Sequence, residues 1–169
     1  MSDKKIMPLS ASELIETVER FIEAAQENNV RMILIGGGAV NFHGVQRHSA
    51  DIDFWIETTT ENLENLSKAL KQLGYDFDTF PDEVIEQKQN ISIHISPVFK
   101  IELITYMNFG FSFQQVWDKS VESKIEKQKV IKFRVLSFED LITSKLKAGR
   151  PKDMYDVLSL REIEDRTSS

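Results

Sequence analysis

The chain has 169 residues, of which 41% are apolar and 28% are charged, and it contains no cysteine. This length and composition predict one domain over residues 1–165, followed by a frayed tail over 166–169. The missing cysteines exclude disulfides, a thiol nucleophile and Cys-ligated zinc or iron–sulfur sites. Only three histidines are present, so any metal would be held by carboxylates, which favours hard cations such as Mg²⁺ or Mn²⁺.

The net charge and the hydropathy pattern indicate which partners and which location to expect. The 21 basic and 27 acidic residues give a formal net charge of −6 at pH 7, so no positive field attracts duplex DNA. The longest apolar stretch, residues 32–40, is short and interrupted by three glycines. Lys4 and Lys5 at the N-terminus are not followed by an apolar block. We therefore expect neither a signal peptide nor a membrane segment, and a cytoplasmic protein.

The hydrophobic pattern alternates between helical and strand periods along the chain. Ser10 stands three residues before Glu13, which is capping-box spacing, and apolar residues then recur at helical intervals. From Glu83 onward the period drops to two. The predicted elements are a helix over about 11–28, a strand at 31–35, a turn at 36–38, a short helix at 39–43, a strand at 51–56, a helix from Thr58 to Gly74, a hairpin with strands at 91–95 and 98–104, one helical turn at 115–120, a strand at 130–136, a helix from Ser137 to Gly149 and a last helix from Pro151. This order predicts an α/β or α+β fold, with a mixed sheet flanked by helices.

Two carboxylates converge on the strand at 51–56. Asp51 and Asp53 are two positions apart, so both side chains leave the same face of the strand, with Cα atoms roughly 6.5–7 Å apart. Such carboxylates repel each other unless a cation lies between them. With a third carboxylate from a neighbouring strand, for which Glu102 is the candidate, they would suit a two-metal site for phosphoryl transfer. The alternative is an ordinary solvent-facing side of the sheet.

A glycine run connects the first buried strand to the next helix. Gly36, Gly37 and Gly38 would let backbone amides approach a triphosphate closely. The alternative is a tight turn that packs a helix against the sheet. No Gly-Lys-Ser/Thr follows, and Asn41 stands where a dinucleotide fingerprint requires glycine, which excludes both of those phosphate-binding motifs.

The glycine run and the Asp-x-Asp strand together resemble the sequence motif of a known protein superfamily. The residues that carry the resemblance are 35–44, Arg47, Ser49 and 51–53. They resemble the DNA polymerase β-like nucleotidyltransferase superfamily, and in particular its compact bacterial group that includes abortive-infection toxin nucleotidyltransferases. In that superfamily a Gly-Gly pair opens a helix and an Asp-x-Asp follows on the next strand, as both do here.

The resemblance continues to about residue 160. The strand at 100–104 takes the place of the third carboxylate strand, with Glu instead of the more usual Asp. The segment 136–156 resembles a downstream region in which a helix lysine and a Lys-Asp-x-x-Asp motif lie beside the nucleotide. The resemblance implies catalytic and metal-binding roles for Asp51, Asp53 and Glu102, and nucleotide-binding roles for Gly36, Gly37, Arg47, Ser49, Lys145, Lys152, Asp153 and Asp156.

The activity that the resemblance implies is transfer of a nucleoside monophosphate from a triphosphate such as ATP, with release of pyrophosphate. Two Mg²⁺ or Mn²⁺ ions would assist, and the acceptor would be an RNA end, a protein hydroxyl or a small molecule. The alternative is a non-catalytic nucleotide- or partner-binding module on the same fold. It could belong to a toxin–antitoxin system and bind the partner protein of such a two-gene system.

Simpler structural roles stay open for several of these residues. Lys145 could extend from the edge of the core into solvent, and Asp153 could merely favour a helix N-terminus. Arg150 and Lys152 place positive charge at a helix start, which an adjacent anion would explain. Trp55 shares a strand face with Asp53, and we expect it to pack in the core rather than stack on a base.

Overall fold

A mixed six-stranded sheet organises the chain. The computed structural model describes residues 9–49, 51–76 and 78–169, so the first eight residues of the predicted domain lie outside the described part. In chain order the described elements are α1 (Ala11–Glu27), β1 (Met32–Ile35), α2 (Gly36–Phe42), β2 (Asp51–Ile56), α3 (Thr60–Gln72), α4 (Asp82–Ile85), β3 (Ile91–Ser96), β4 (Phe99–Ile104), α5 (Phe113–Lys119), β5 (Val121–Glu126), β6 (Val130–Val135), α6 (Phe138–Ala148) and α7 (Pro151–Thr167). The predicted mixed sheet with flanking helices is confirmed.

The strand order of the sheet is β3-β4-β2-β1-β6-β5. The pairs β2/β4 and β1/β6 are parallel, and the other three pairs are antiparallel. Ile35 at the end of β1 pairs with Asp53 near the start of β2. The chain leaves β1 directly into α2, so the first turn of α2 begins beside the aspartates of β2.

Apolar side chains cover both faces of the sheet, because alternate residues of each central strand point to opposite sides. On one face, Phe54 and Ile101 pack with Phe21 of α1 and Leu66 of α3. The other core contains Ile33, Trp55, Val40 of α2, Val116 of α5, Leu141 of α6 and Leu160 of α7. None of the helices in the described ranges combines enough length and apolar character to span a bilayer.

Several helix ends follow their local signals. The side chains of Ser10 and Glu13 form the reciprocal capping box of α1, and Ser137 caps α6, which ends at Gly149 in the left-handed conformation. The glycines differ from the prediction: they form the first turn of α2, not a separate turn before a helix at 39. Thr59, not Thr58, caps α3, because its hydroxyl accepts from the backbone N–H of Asn62.

Four further local features differ from the prediction. The segment at Asp82–Ile85 is the short helix α4 and not the start of a strand. The edge strand β5 was not predicted, because few of its side chains are buried and its pattern is weak. A capping box of Ser112 and Gln115 starts α5 at Phe113, two residues earlier than expected. The last helix, α7, continues to Thr167, into the predicted tail.

Candidate active site

Acidic side chains meet where β2 and β4 run side by side. In this parallel pair Asp53 is the register partner of Glu102, and Asp51 is the partner of Lys100. Because residues two apart share a face of a strand, Asp51, Asp53, Lys100 and Glu102 all leave the same side of the sheet. The structure thus places the three carboxylates that the sequence singled out on one face of two adjacent strands.

The carboxylate of Glu102 is held by two neighbours. Its Oε2 accepts a hydrogen bond from Ser92 Oγ at 2.7 Å and lies 3.1 Å from Lys100 Nζ, with the Glu102 side chain only 16% exposed. Ser92 reaches it because β3 pairs with β4 so that these two residues are partners. Both contacts use Oε2, and Oε1 has no hydrogen-bond partner among the residues that the structure describes.

Asp53 has the most strongly perturbed surroundings of the three. Burial raises the pKa of its carboxyl above the ordinary value, and the negative charges of Asp51 and Glu102 raise it further. The positive charges of Lys100 and Lys145 only partly oppose this. Ionised Asp53 is therefore destabilised in the protein alone, and a nearby cation would relieve that cost.

The three carboxylates of Asp51, Asp53 and Glu102 are of the ligand type that suits a hard divalent cation. In the described ranges no group of three His, Asp or Glu side chains is gathered closely enough to hold a metal ion. Asp51, Asp53 and Glu102 nevertheless offer only carboxylate oxygens, which are the ligands that Mg²⁺ and Mn²⁺ favour. Their mutual repulsion at Asp53 would be relieved by a bound cation. The residues present therefore fit such an ion by ligand type and charge.

Two glycines lie directly against this cluster. A Cβ atom on Gly36 would be 2.7 Å from Asp53 Oδ2, and Gly36 has a φ of +60°. A Cβ on Gly37 would be 3.1 Å from Ser49 Oγ. Ser49 in turn donates to the backbone oxygen of Asp51 at 2.6 Å. The absence of side chains at 36 and 37 thus lets the start of α2 pack closely on the aspartate strand.

Lys145 of α6 is buried and lies close enough to Asp53 to interact with its charge. It is only 7% exposed, and its ammonium lies 2.9 Å from Asp156 Oδ2 and 3.3 Å from Asp153 Oδ1. Both aspartates are buried. The solvent-facing alternative for Lys145 is therefore wrong, because two buried carboxylates hold its ammonium inside the protein.

Two arginines with more exposed side chains complete the ion-pair network around these buried residues. The network comprises Arg47, Lys145, Arg150, Asp153 and Asp156. Arg150 donates to Asp153 Oδ2 through Nε at 2.6 Å, and Arg47 donates to Asp156 Oδ2 through Nη1. Burial alone would raise the pKa of Asp153, but hydrogen bonds from Arg150 and Lys145 outweigh it and hold the pKa below the ordinary value. The anion beside the basic start of α7 is therefore Asp153 itself.

The remaining predicted positions are more peripheral. Lys152 is exposed and makes no hydrogen bond or ion pair with any described residue. Trp55 is buried and its ring contacts those of Phe109 and Phe113, which confirms that it packs in the core.

Sequence reasoning gave no site role to Ser92, Lys100 or Arg150, although it placed Arg150 at a basic helix start that an adjacent anion would explain. The i, i+2 spacing of Lys100 and Glu102 on one strand was a usable signal for their ion pair, and the i, i+3 spacing of Arg150 and Asp153 was one for the helix start. No local signal marks Ser92, since only the register of the β3/β4 hairpin places it beside Glu102.

The fold resembles solved nucleotidyltransferase-like structures. An antigenic nucleotidyltransferase-like protein from Paracoccidioides brasiliensis superposes with a TM-score of 0.54 at 17% identity, over 91% of this chain and 78% of that one. A candidate nucleotidyltransferase from Thermotoga maritima superposes with a TM-score of 0.54 at 16% identity, over 94% of this chain and 96% of that one. At these identities the likeness shows the fold.

The sequence itself carries the family assignment. None of the curated proteins matches it significantly. A family model described as nucleotidyltransferase of unknown function, DUF6036, matches residues 12–166. That match includes every element from β1 to α6, all but the first residue of α1 and all but the last residue of α7, together with the acidic cluster. The resemblance to nucleotidyltransferases is confirmed, and the chain belongs to this nucleotidyltransferase family.

Proposed function

We propose that the protein transfers a nucleoside monophosphate from a nucleoside triphosphate to an acceptor hydroxyl and releases pyrophosphate. The observation that carries the proposal is the pairing of Asp53 with Glu102 across β2 and β4, with Asp51 on the same face. Membership of a nucleotidyltransferase family supports this reading of three converging carboxylates. The acceptor is an RNA end, a protein hydroxyl or a small molecule.

We assign Glu102 as the group that takes the proton from the acceptor hydroxyl. The acceptor oxygen forms a bond to the α-phosphorus, the bond from that phosphorus to the bridging oxygen of pyrophosphate breaks, and Glu102 takes the acceptor proton. Ser92 and Lys100 orient the carboxylate through Oε2, which leaves Oε1 for the proton. A base fixed in this way acts by position as much as by basicity.

The expected cofactors are two divalent ions, Mg²⁺ or Mn²⁺. Asp51, Asp53 and Glu102 would hold them through carboxylate oxygens. When bound, such ions neutralise the phosphate charge and stabilise both the attacking and the leaving oxygen. Their positive charge would also favour the ionised form of Asp53, whose pKa is raised in the protein alone.

The triphosphate would lie along the start of α2. Gly36 and Gly37 have no side chains there, and Gly37 is flanked by Ser49 and Arg47. Arg47, Ser49 and the exposed Lys152 would supply hydrogen bonds and positive charge to the phosphates. Lys145, Asp153 and Asp156 are buried, so they would contribute to nucleotide binding indirectly, through the residues that they contact.

The test is to supply each labelled nucleoside triphosphate in turn. Purified protein is incubated in cell extract with one α-phosphate-labelled nucleotide and Mg²⁺ or Mn²⁺, and the label is followed in RNA, protein and small molecules. We expect a labelled product with the parent protein and none with Asp53→Asn. If the parent binds triphosphate yet labels nothing, the protein is a non-catalytic binding module instead.

A further inference from the structure

We propose that Asp156 is a positioning residue that holds Arg47 in place to contact the triphosphate. This inference rests on the proposed function and adds a role that the acidic cluster does not supply. Asp156 belongs to α7, whereas Arg47 belongs to the segment between α2 and β2. A single ion pair therefore ties the C-terminal helix to the loop that flanks the glycines.

Asp156 cannot reach the nucleotide itself. Its side chain is 3% exposed, and its Oδ2 accepts a hydrogen bond from Arg47 and forms an ion pair with Lys145. A buried carboxylate would also repel phosphate rather than attract it. Its effect on an anionic ligand must therefore pass through the cations that it holds.

Arg47 is the cation that is placed to transmit this effect. Its side chain is 26% exposed, and its Nε lies 3.6 Å from the position that a Cβ on Gly37 would occupy. Its backbone N–H donates to Asn41 Oδ1 at 2.9 Å, which fixes the chain at this point. Among the described residues, only Nη1 of the guanidinium has a hydrogen-bond partner. The remaining donors are left for a ligand beside Gly37.

The other members of the network help to neutralise the charge of Asp156, but none of them takes the place of Arg47 beside Gly37. Lys145 bridges Asp156 and Asp153, and Arg150 caps Asp153 on the other side. Three cations thus share two buried carboxylates, and two of them, Lys145 and Arg150, lie close enough to Asp53 to interact with its charge. Asp140 of α6 is matched to Asp156 in burial, since its side chain is also 3% exposed, but it pairs with Lys119 instead of Arg47.

A double-mutant cycle on triphosphate binding tests the role. The probes are inorganic tripolyphosphate and each of the four nucleoside triphosphates with Mg²⁺, and the variants are Arg47→Ala, Asp156→Asn and the double variant. Loss of one charged hydrogen bond to phosphate should weaken binding about 10- to 100-fold in Arg47→Ala. Asp156→Asn should weaken it about 10-fold, and the double variant should stay within about twofold of Arg47→Ala.

The direction of the Asp156→Asn effect separates positioning from simple electrostatics. Removing a negative charge near an anion site would by itself tighten binding, so weaker binding requires that Arg47 has been released. The matched control is Asp140→Asn, which removes the charge of an equally buried aspartate outside this network and should bind triphosphate as the parent does. Its effect should also be independent of Arg47→Ala.

Each remaining outcome is decisive. If the two binding losses simply add in the Arg47→Ala/Asp156→Asn protein, the positioning role of Asp156 is wrong, but the proposed function is unaffected. If the parent binds none of the probes, both the proposed function and the positioning role are wrong. If Asp156→Asn does not fold, Arg47→Lys replaces it. Lysine lacks the extended planar guanidinium, in which Nη1 binds Asp156 while Nε and Nη2 stay available for phosphate, so affinity within about twofold of the parent would then overturn the proposal.

Discussion

Asp53 on β2 and Glu102 on β4 are register partners in a parallel strand pair, so their Cα atoms lie about one strand spacing, ~4.8 Å, apart. Their side chains share a face, and the charge of Glu102 helps to raise the pKa of Asp53. This one relationship joins two carboxylates that are far apart in the sequence. Most of the expected behaviour of the protein follows from it.

Triphosphate binding should depend on a divalent ion, because the carboxylates would otherwise repel the phosphates. We expect much tighter binding with Mg²⁺ or Mn²⁺ than with EDTA in titration calorimetry. At a ligand concentration about 100 times Kd, the free energy of unfolding should rise by about 2.7 kcal/mol, or roughly 5–10 °C in Tm. Equal affinity with and without metal would rule out the metal site.

Glu102→Gln should separate chemistry from binding. The glutamine keeps the shape of the side chain but removes its charge and its ability to accept a proton. We expect transfer to fall by about 100-fold or more, with much of the triphosphate affinity retained, whereas Asp53→Asn should lose both. The control is Glu86→Gln, since Glu86 is exposed and pairs with Lys88. Transfer at the parent rate in Glu102→Gln would show that another group takes the proton.

The pH dependence of stability should report the raised pKa of Asp53. A carboxyl whose folded pKa exceeds its unfolded value stabilises the fold most when it is protonated, and this contribution is lost as the pH rises through the folded pKa. The ordinary value is 3.8. In EDTA, Asp53→Asn should therefore raise the Tm above that of the parent at pH 7, and the difference should shrink toward pH 4. A Tm difference that does not change with pH would contradict the shift.

Gly36→Ala should disturb Asp53 specifically. The new Cβ would lie 2.7 Å from Asp53 Oδ2, so the carboxylate must move. The φ of +60° at this position would also strain the backbone of an alanine. The matched control is Gly74→Ala, which has a φ of +93° and no atom within 4 Å of its Cβ. Both variants should lose about 1 kcal/mol or more of unfolding free energy from backbone strain. Only Gly36→Ala should lose metal-dependent binding, and equal binding in the two variants would count against a site beside Gly36.

Lys145→Ala should destabilise the fold. The variant leaves two buried aspartates with one cation fewer, and removing one partner of a buried ion pair costs on the order of 3 kcal/mol. Lys147→Ala on the same helix is the control, because Lys147 is exposed. Urea unfolding of both variants gives the comparison. A Lys145→Ala protein as stable as Lys147→Ala would mean that the arginines alone neutralise Asp153 and Asp156.

The sequence by itself determined the features that depend on neighbours in the chain. The capping box of Ser10 and Glu13 and the end of α6 at Gly149 each involve residues within one helical turn. Asp51 and Asp53 share a face because a strand has a period of two. The weakly patterned edge strand β5 lacks such a signal, because burial on one side, which creates the alternation, is nearly absent there.

Only the tertiary structure decided which of these residues meet. The register of β4 against β2 places Glu102 beside Asp53 rather than one position away, and a slip of one residue would turn it to the opposite face. The docking of α6 and α7 buries Lys145 between Asp153 and Asp156, although its helical position alone was equally compatible with solvent. Arg47 and Asp156 meet for the same reason. Such pairings depend on how whole elements pack, and that is set by the summed burial of both cores rather than by any local pattern.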